Sequence, residues 1–251
     1  GGRVRDYEGK NKIIGDVLPL IAVPTTAGSG SEVTASAVIT DSRRHFKFSI
    51  KDYKIAPRVA ILDPELTHSM PPGLTAATGM DALTHAIEAY TAIVSKPLAD
   101  AAALHAVEMI FRHLKTAVSK GQNLDARSGM LVGSLLAAIA FSHSDVAAVH
   151  CIAEALGGKY DLPHGVCNAV VLPVIMEYNI DFCTKKYARL ARAMGFSYRN
   201  VRSGAQKAVA AVKKMATDIK LPEFRELGVK EADFDELALN SAANGSNSVN
   251  P

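Results

Sequence analysis

The sequence predicts a small α/β portion followed by an all-helical domain. Two observations carry this. Short apolar or alternating runs are confined to the first 65 residues, and from Leu74 onwards apolar residues recur at helical spacing. Pro71-Pro72-Gly73 punctuates the change. We therefore expect an α/β portion over residues 1–70 and a helical domain over 71–251.

Residues 18–23 form an apolar run bounded by Asp16 and Pro24-Thr25-Thr26, which reads as a buried strand feeding a loop. Residues 34–40 are β-branched and small. Residues 45–50 alternate, with Phe46, Phe48 and Ile50 on one side, so a hairpin turning through 41–44 is expected. A second short buried strand is expected at 59–62, closed by Asp63-Pro64. Helices are expected at 74–91, 98–118, 124–141, 147–156, 169–178, 185–194, 201–219 and 231–243, flanked by Gly, Pro, Asn or Asp.

Composition narrows the function. The chain has 251 residues, 48% hydrophobic and 21% charged, the balance of an ordinary globular protein. The net charge of +3 comes from scattered Lys and Arg. The longest basic clusters, Arg43-Arg44 with Lys47 and Lys213-Lys214, are too short for a nucleic-acid surface and read as solvated faces. Cys151, Cys167 and Cys183 show no CxxC spacing, which argues against a disulfide framework or a thiolate zinc site and for a reducing, cytoplasmic setting. No uncharged apolar run reaches the roughly 18 residues of a membrane span, and 130–141 reads as a buried helix. The chain opens Gly1-Gly2-Arg3 with neither Met nor signal peptide, which we read as the start of a fragment.

Three features carry chemistry. Asp81 and His85 are four apart, on one face of a helix, where they could chelate a divalent ion or form a helix-surface or buried hydrogen-bonded pair. His150 lies in an Ala-rich helix, where both ring nitrogens need partners. His164, between Pro163 and Gly165, reads as a loop histidine, either aimed into a cleft or solvated. Together these offer one carboxylate and three imidazoles, a set that suits Fe(II) or Zn(II), and also Mn, Co or Ni. The loop Pro24-Thr25-Thr26-Ala27-Gly28-Ser29-Gly30-Ser31-Glu32 offers hydroxyls and backbone N–H groups to a phosphate or ribose, or is an ordinary turn between elements.

These residues sit in longer motifs. Residues 18–34, which contain that loop, resemble a signature of the iron-containing (group III) alcohol dehydrogenases. So do residues 70–90, which contain Gly79-Met80-Asp81-Ala82-Leu83-Thr84-His85-Ala86-Ile87-Glu88. The third block is residues 156–169, with Asp161-Leu162-Pro163-His164-Gly165. The similarity runs from Asp6-Tyr7-Glu8-Gly9 to Asn250-Pro251. It implies an NAD(P)-dependent oxidoreductase acting on a small alcohol, aldehyde or ketone. It also implies a dehydroquinate synthase-like architecture, in which an α/β nucleotide-binding domain precedes an all-α metal-binding domain and the active site lies between them. The family's metal ligands fall on Asp81, His85, His150 and His164. Its nicotinamide-side residues fall on Thr25, Thr26, Ser29, Val38, Lys47 and Leu74. Iron is favoured by the family, with zinc as the alternative, and a cytoplasmic homo-oligomer is expected.

Two departures matter. Many members carry a second histidine one turn after the third ligand, near the substrate. Here the position is Glu154, which could accept a proton or bind the metal. A full-length member is also expected to hold roughly one hundred further residues before Gly1, including a Gly-Gly-Gly-Ser pyrophosphate loop, and a last helical segment after Pro251. The rival readings are a zinc-dependent relative such as glycerol dehydrogenase and a non-catalytic metal-binding fragment.

Overall fold

All strands among the described residues precede Pro64, and α-helices occupy the chain from Pro72. The structure is a computed structural model; it describes residues 2–41 and 46–251, with no side chain described at 40, 46 and 47. The expected hairpin is β3 (Ser36–Asp41) against β4 (Phe46–Lys51), antiparallel, with Val38 opposite Ser49 and Ile39 opposite Phe48. Most of its turn, with Arg43-Arg44, lies outside the described residues. β1 (Gly9–Lys10) adds to the other edge of β4 in parallel, giving the order β1-β4-β3.

The runs 18–23 and 59–62 depart from expectation. Only β2 (Ile21–Ala22) and β5 (Val59–Ala60) form, as a two-stranded parallel sheet, and neither is buried. Leu18 is 90% exposed, and Ile21, Val59 and Ile61 are also exposed. Apolarity marked these runs correctly as strands. Burial, however, needs a covering layer, and no described element supplies one.

The helices are α1 (Pro72–Thr91), α2 (Pro97–Ser119), α3 (Leu124–Ser142), α4 (Ala148–Tyr160), α5 (His164–Tyr178), α6 (Ile180–Ala193), α7 (Val201–Asp218) and α8 (Phe234–Ala242). α1 is the central element: every residue from Thr75 to Thr91 except Thr78 is buried. α2, α3 and α5 pack around it. Small residues allow the close approach between α2 and α3, where a Cβ at Gly133 would come within 2.7 Å of Ile110. The buried hydroxyls of Thr84 and Thr91 donate to the Met80 and Ile87 carbonyls one turn back, at 2.8 Å each. α3 is long and apolar enough to cross a membrane, but over half of its apolar stretch is buried inside the helical portion.

The start of α1 is held by a buried cation. Arg127, 2% exposed, donates from Nε to Gly121 O, from Nη1 to Thr75 Oγ1 and from Nη2 to Met70 O, at 2.8, 2.9 and 3.1 Å. Its partners are neutral oxygens, so it fixes the 70–75 segment, which carries Leu74, by geometry.

Two helix boundaries differ from the sequence reading in ways that shape the site. α4 continues through Gly157-Gly158 to Tyr160, because packing against α5 and α8 overrides their low helix propensity. It ends at Asp161, whose left-handed conformation (φ 53°) reverses the chain. His164 is then the first residue of α5, with Pro163 at the N-cap, not a loop residue. Proline fixes the entry to the helix and needs no N–H bond there. α5 and α6 meet at Asn179 with a 115° bend.

Candidate metal centre

A polar stripe crosses the apolar core of α1. Asp81, His85 and Glu88 stand at i, i+4 and i+7 on one helix face, and all three are buried. The α4–turn–α5 hairpin lays His150 and His164 against that stripe. The His150 Nε2 lies 3.7 Å and the His164 Nε2 3.6 Å from Asp81 Oδ1. One ligand atom from each of Asp81, His150 and His164 lies within 4.8 Å of the other two. Donor atoms about 2.1 Å from one ion at tetrahedral angles are about 3.4 Å apart, close to these separations.

The polar accounting tests whether a cation fits. His150 is 4% exposed and its Nε2 has no hydrogen-bond partner; Asp81 Oδ1, at 3.7 Å, stands beyond hydrogen-bond reach. A buried unpartnered imidazole nitrogen facing a carboxylate oxygen is costly, and a divalent ion between them would satisfy both. The residues present therefore fit a metal ion.

His85 stands beside this set but is not part of the converging group. Its ring stacks on His150 at 4.5 Å between centroids and on Phe141 at 4.5 Å. The Gly28 backbone lies close to its ring, and its buried Nδ1 has no partner.

Burial and charge act in opposite directions on the buried carboxyl and imidazoles of the cluster. Burial pushes the Asp81 carboxyl up, but the three surrounding imidazoles reverse this and hold it well below the usual carboxylate range. Burial drives His85 down to about 3, so it is neutral. Burial acts the same way on His150, but nearby Asp81 and the hydrogen bond to Glu88 override it and raise the imidazolium to about 10.

The loop 24–32 is seated against the same helices. A Cβ at Gly28 would lie 2.8 Å from the Thr78 side chain, and one at Gly30 would lie 2.1 Å from Ala138 on α3. Gly30 also has φ +58°, so glycine is required there twice over. The Gly28 contacts to Thr78 and His85 lay the loop along the α1 face that bears Asp81. Thr25 and Ser29 are exposed, as is Leu74, one turn before Thr78; Thr26 is half-buried. Val38 is exposed on β3. Lys47 pairs with Thr40 through the backbone, its side chain lying outside the described residues.

The Fe-containing alcohol dehydrogenase family, C-terminal, matches residues 75–251, and the description iron-containing alcohol dehydrogenase matches residues 1–64. The chain belongs to the iron-containing alcohol dehydrogenase family. It is 41% identical to the NAD-dependent methanol dehydrogenase of Bacillus methanolicus, over all of this chain and 67% of that protein. It is 44% identical to the 1,3-propanediol dehydrogenase of Klebsiella pneumoniae, over all of this chain and 65% of that one. A solved 1,3-propanediol oxidoreductase superposes with a TM-score of 0.97 at 43% identity, covering all of this chain and 66% of that chain. The chain thus spans about two thirds of the length of these relatives.

Glu154 lies one turn beyond His150, is exposed, and accepts a hydrogen bond from Asn244 Nδ2 at 2.7 Å. It is outside the converging group. Two polar residues at the centre were not singled out from the sequence. Glu88 accepts from Val149 N–H at 2.7 Å and pairs with His150 Nδ1 at 2.5 Å. Asn168, fully buried one turn after His164, donates from Nδ2 to Asp81 Oδ1 at 2.6 Å and lies 3.1 Å from His164 Nε2. Their spacing, i+7 from Asp81 and i+4 from His164, was the available signal. The three cysteines are buried.

Proposed function

We propose that this chain forms the metal-binding, catalytic part of an NAD(P)-dependent alcohol dehydrogenase, with Asp81, His85, His150 and His164 holding one Fe(II) ion. Zn(II) suits the same donors. The observation that carries the reading is the convergence of Asp81, His150 and His164 around a buried, unpartnered His150 nitrogen. His85 is placed in the set by its position beside it, its ring stacked on His150. When bound, the ion supplies Lewis acidity to an alcohol oxygen and the nicotinamide supplies the hydride-accepting carbon.

The remaining roles belong to the chain. Thr25, Thr26, Ser29, Val38, Lys47 and Leu74 hold the nicotinamide and its ribose, and the loop packed on Thr78 fixes that side relative to the metal ligands. Glu154 passes the released proton to solvent; its exposure supports this. Residues 1–70 serve as the C-terminal part of the nucleotide-binding domain and 71–251 as the metal-binding domain, an arrangement like dehydroquinate synthase. The confinement of strands to the region before Pro64 supports that division. Relatives named for methanol, 1,3-propanediol and lactaldehyde support a small alcohol or aldehyde as substrate. Three buried cysteines with no CxxC spacing support a cytoplasmic setting.

The test is metal analysis of the purified protein and of Asp81→Asn and His150→Ala, together with alcohol-dependent reduction of NAD and NADP across methanol, 1,3-propanediol and choline. Near-stoichiometric iron or zinc, lost in both variants along with turnover, is expected. Retention of metal by both variants, or no turnover by the metal-loaded full-length protein, refutes the reading.

A further inference from the structure

Glu88 lies behind the converging side chains, and both of its carboxylate oxygens are occupied. Oε1 accepts the Val149 N–H at 2.7 Å, and Oε2 lies 2.5 Å from His150 Nδ1. Its side chain is only 5% exposed. Val149 is the second residue of α4, so its N–H has no partner within the helix. The N-cap residue is Ala147, which offers no side-chain cap. Glu88 therefore caps α4 from α1 across 61 residues of chain and grips the ring of the adjacent histidine with the same group.

The chemistry follows from hydrogen-bond direction. A carboxylate only accepts, so His150 Nδ1 must carry the proton that meets it. When the ring gives up its second proton to bind a cation, Glu88 keeps the remaining proton on Nδ1 and the lone pair forms on Nε2, the nitrogen that faces Asp81 and has no partner. We infer that Glu88 is a positioning residue: it fixes the start of α4 and the tautomer of His150, so that Nε2 is presented to the metal. This rests on the metal-site reading above.

Glu88→Gln separates the two roles. The Val149 N–H can only donate, so the introduced amide must turn its carbonyl oxygen to it and the cap survives. The amide NH2 then points at Nδ1, which must accept. The proton moves to Nε2 and blocks the metal-facing nitrogen. Glu88→Ala removes cap and tautomer control together.

Zinc affinity, measured by competition with a chromophoric chelator, is compared for the parent protein, Glu88→Gln, Glu88→Ala and His150→Ala. Glu88→Gln is expected to bind zinc about 10–100-fold more weakly with an unchanged far-UV spectrum and melting temperature, the scale typical of losing a hydrogen-bond partner behind a metal ligand. Glu88→Ala is expected to lose affinity and melting temperature together. In the zinc-loaded parent, long-range ¹⁵N–¹H correlation should show His150 protonated at Nδ1 and coordinated through Nε2. Zinc binding by Glu88→Gln within about threefold of the parent overturns the proposal, as does an unprotonated Nδ1 in the zinc-loaded parent. The second result decides even if the variants fail to fold. If His150→Ala binds zinc as the parent does, the metal-site reading falls; if only the glutamine variant is unaffected, that reading stands and the role of Glu88 falls.

Discussion

Gly165→Ala should damage the metal centre without touching any proposed ligand. A Cβ at Gly165 would sit 2.4 Å from the Ala77 carbonyl oxygen and 2.7 Å from its carbon. Both atoms are backbone in α1, so neither can rotate away. Restoring an ordinary separation of about 3.2 Å requires the start of α5 to retreat by about 0.8 Å. His164 is the adjacent residue and moves with it. Metal–ligand distances tolerate only about 0.2 Å, so the displaced ring cannot share an ion with Asp81. We expect a stability loss of about 1–3 kcal/mol by urea denaturation and zinc affinity at least about tenfold lower. Gly158→Ala is the control: its Cβ would meet nothing within 4 Å, inside α4. That change should stabilise by about 0.5–1 kcal/mol and leave zinc binding alone. If Gly165→Ala matches the parent in both measurements, the close approach of α5 to α1 does not set the ligand geometry.

Three further outcomes are expected from the same packing. Arg127→Lys supplies one point donor where three fixed oxygens were satisfied, so it should lower unfolding stability by about 1–3 kcal/mol; a change below about 0.5 kcal/mol would remove the buried clamp on the start of α1. Burial pushes the Cys183 thiol up to about 11 from 9.0. The unfolded chain then loses this proton first, so the contribution is complete below pH 9 and fades as pH rises towards 11. Denaturation midpoints should fall across that window, and fall less in Cys183→Ala; equal slopes would contradict the burial argument. Glu154→Gln should keep its metal and shift the pH–rate profile of alcohol oxidation, whereas an unchanged profile ends the proton-transfer role.

The division between strands and helices was legible because period-two runs and helical spacing do not overlap along this chain. The paired histidine and carboxylate of α1 were legible because helical geometry fixes which residues share a face. Three things were not. The burial of residues 18–23 depends on what covers them, which a run of apolar residues cannot tell. His164 reads as a loop residue from Pro163 and Gly165, yet a proline suits the entry to a helix as well as a loop, and only packing against Ala77 chooses. Glu88 and Asn168 act through partners 62 and 87 residues away, and no local pattern encodes a hydrogen bond across such a distance.

Those long separations have a consequence for how the domain holds together. The polar stripe of α1 is tied to the α4–α5 hairpin by contacts that close large loops, and each closure carries an entropic cost. A bound ion would add a cross-link at the same place, supported by binding energy that the unfolded chain cannot recover. Metal occupancy then sets how often the hairpin parts from α1. A chelator should act as a selective solvent of this one seam: amide exchange in α4 and the first turns of α5 should accelerate together, while the seam between α2 and α3, which has no share in the ligands, keeps its protection.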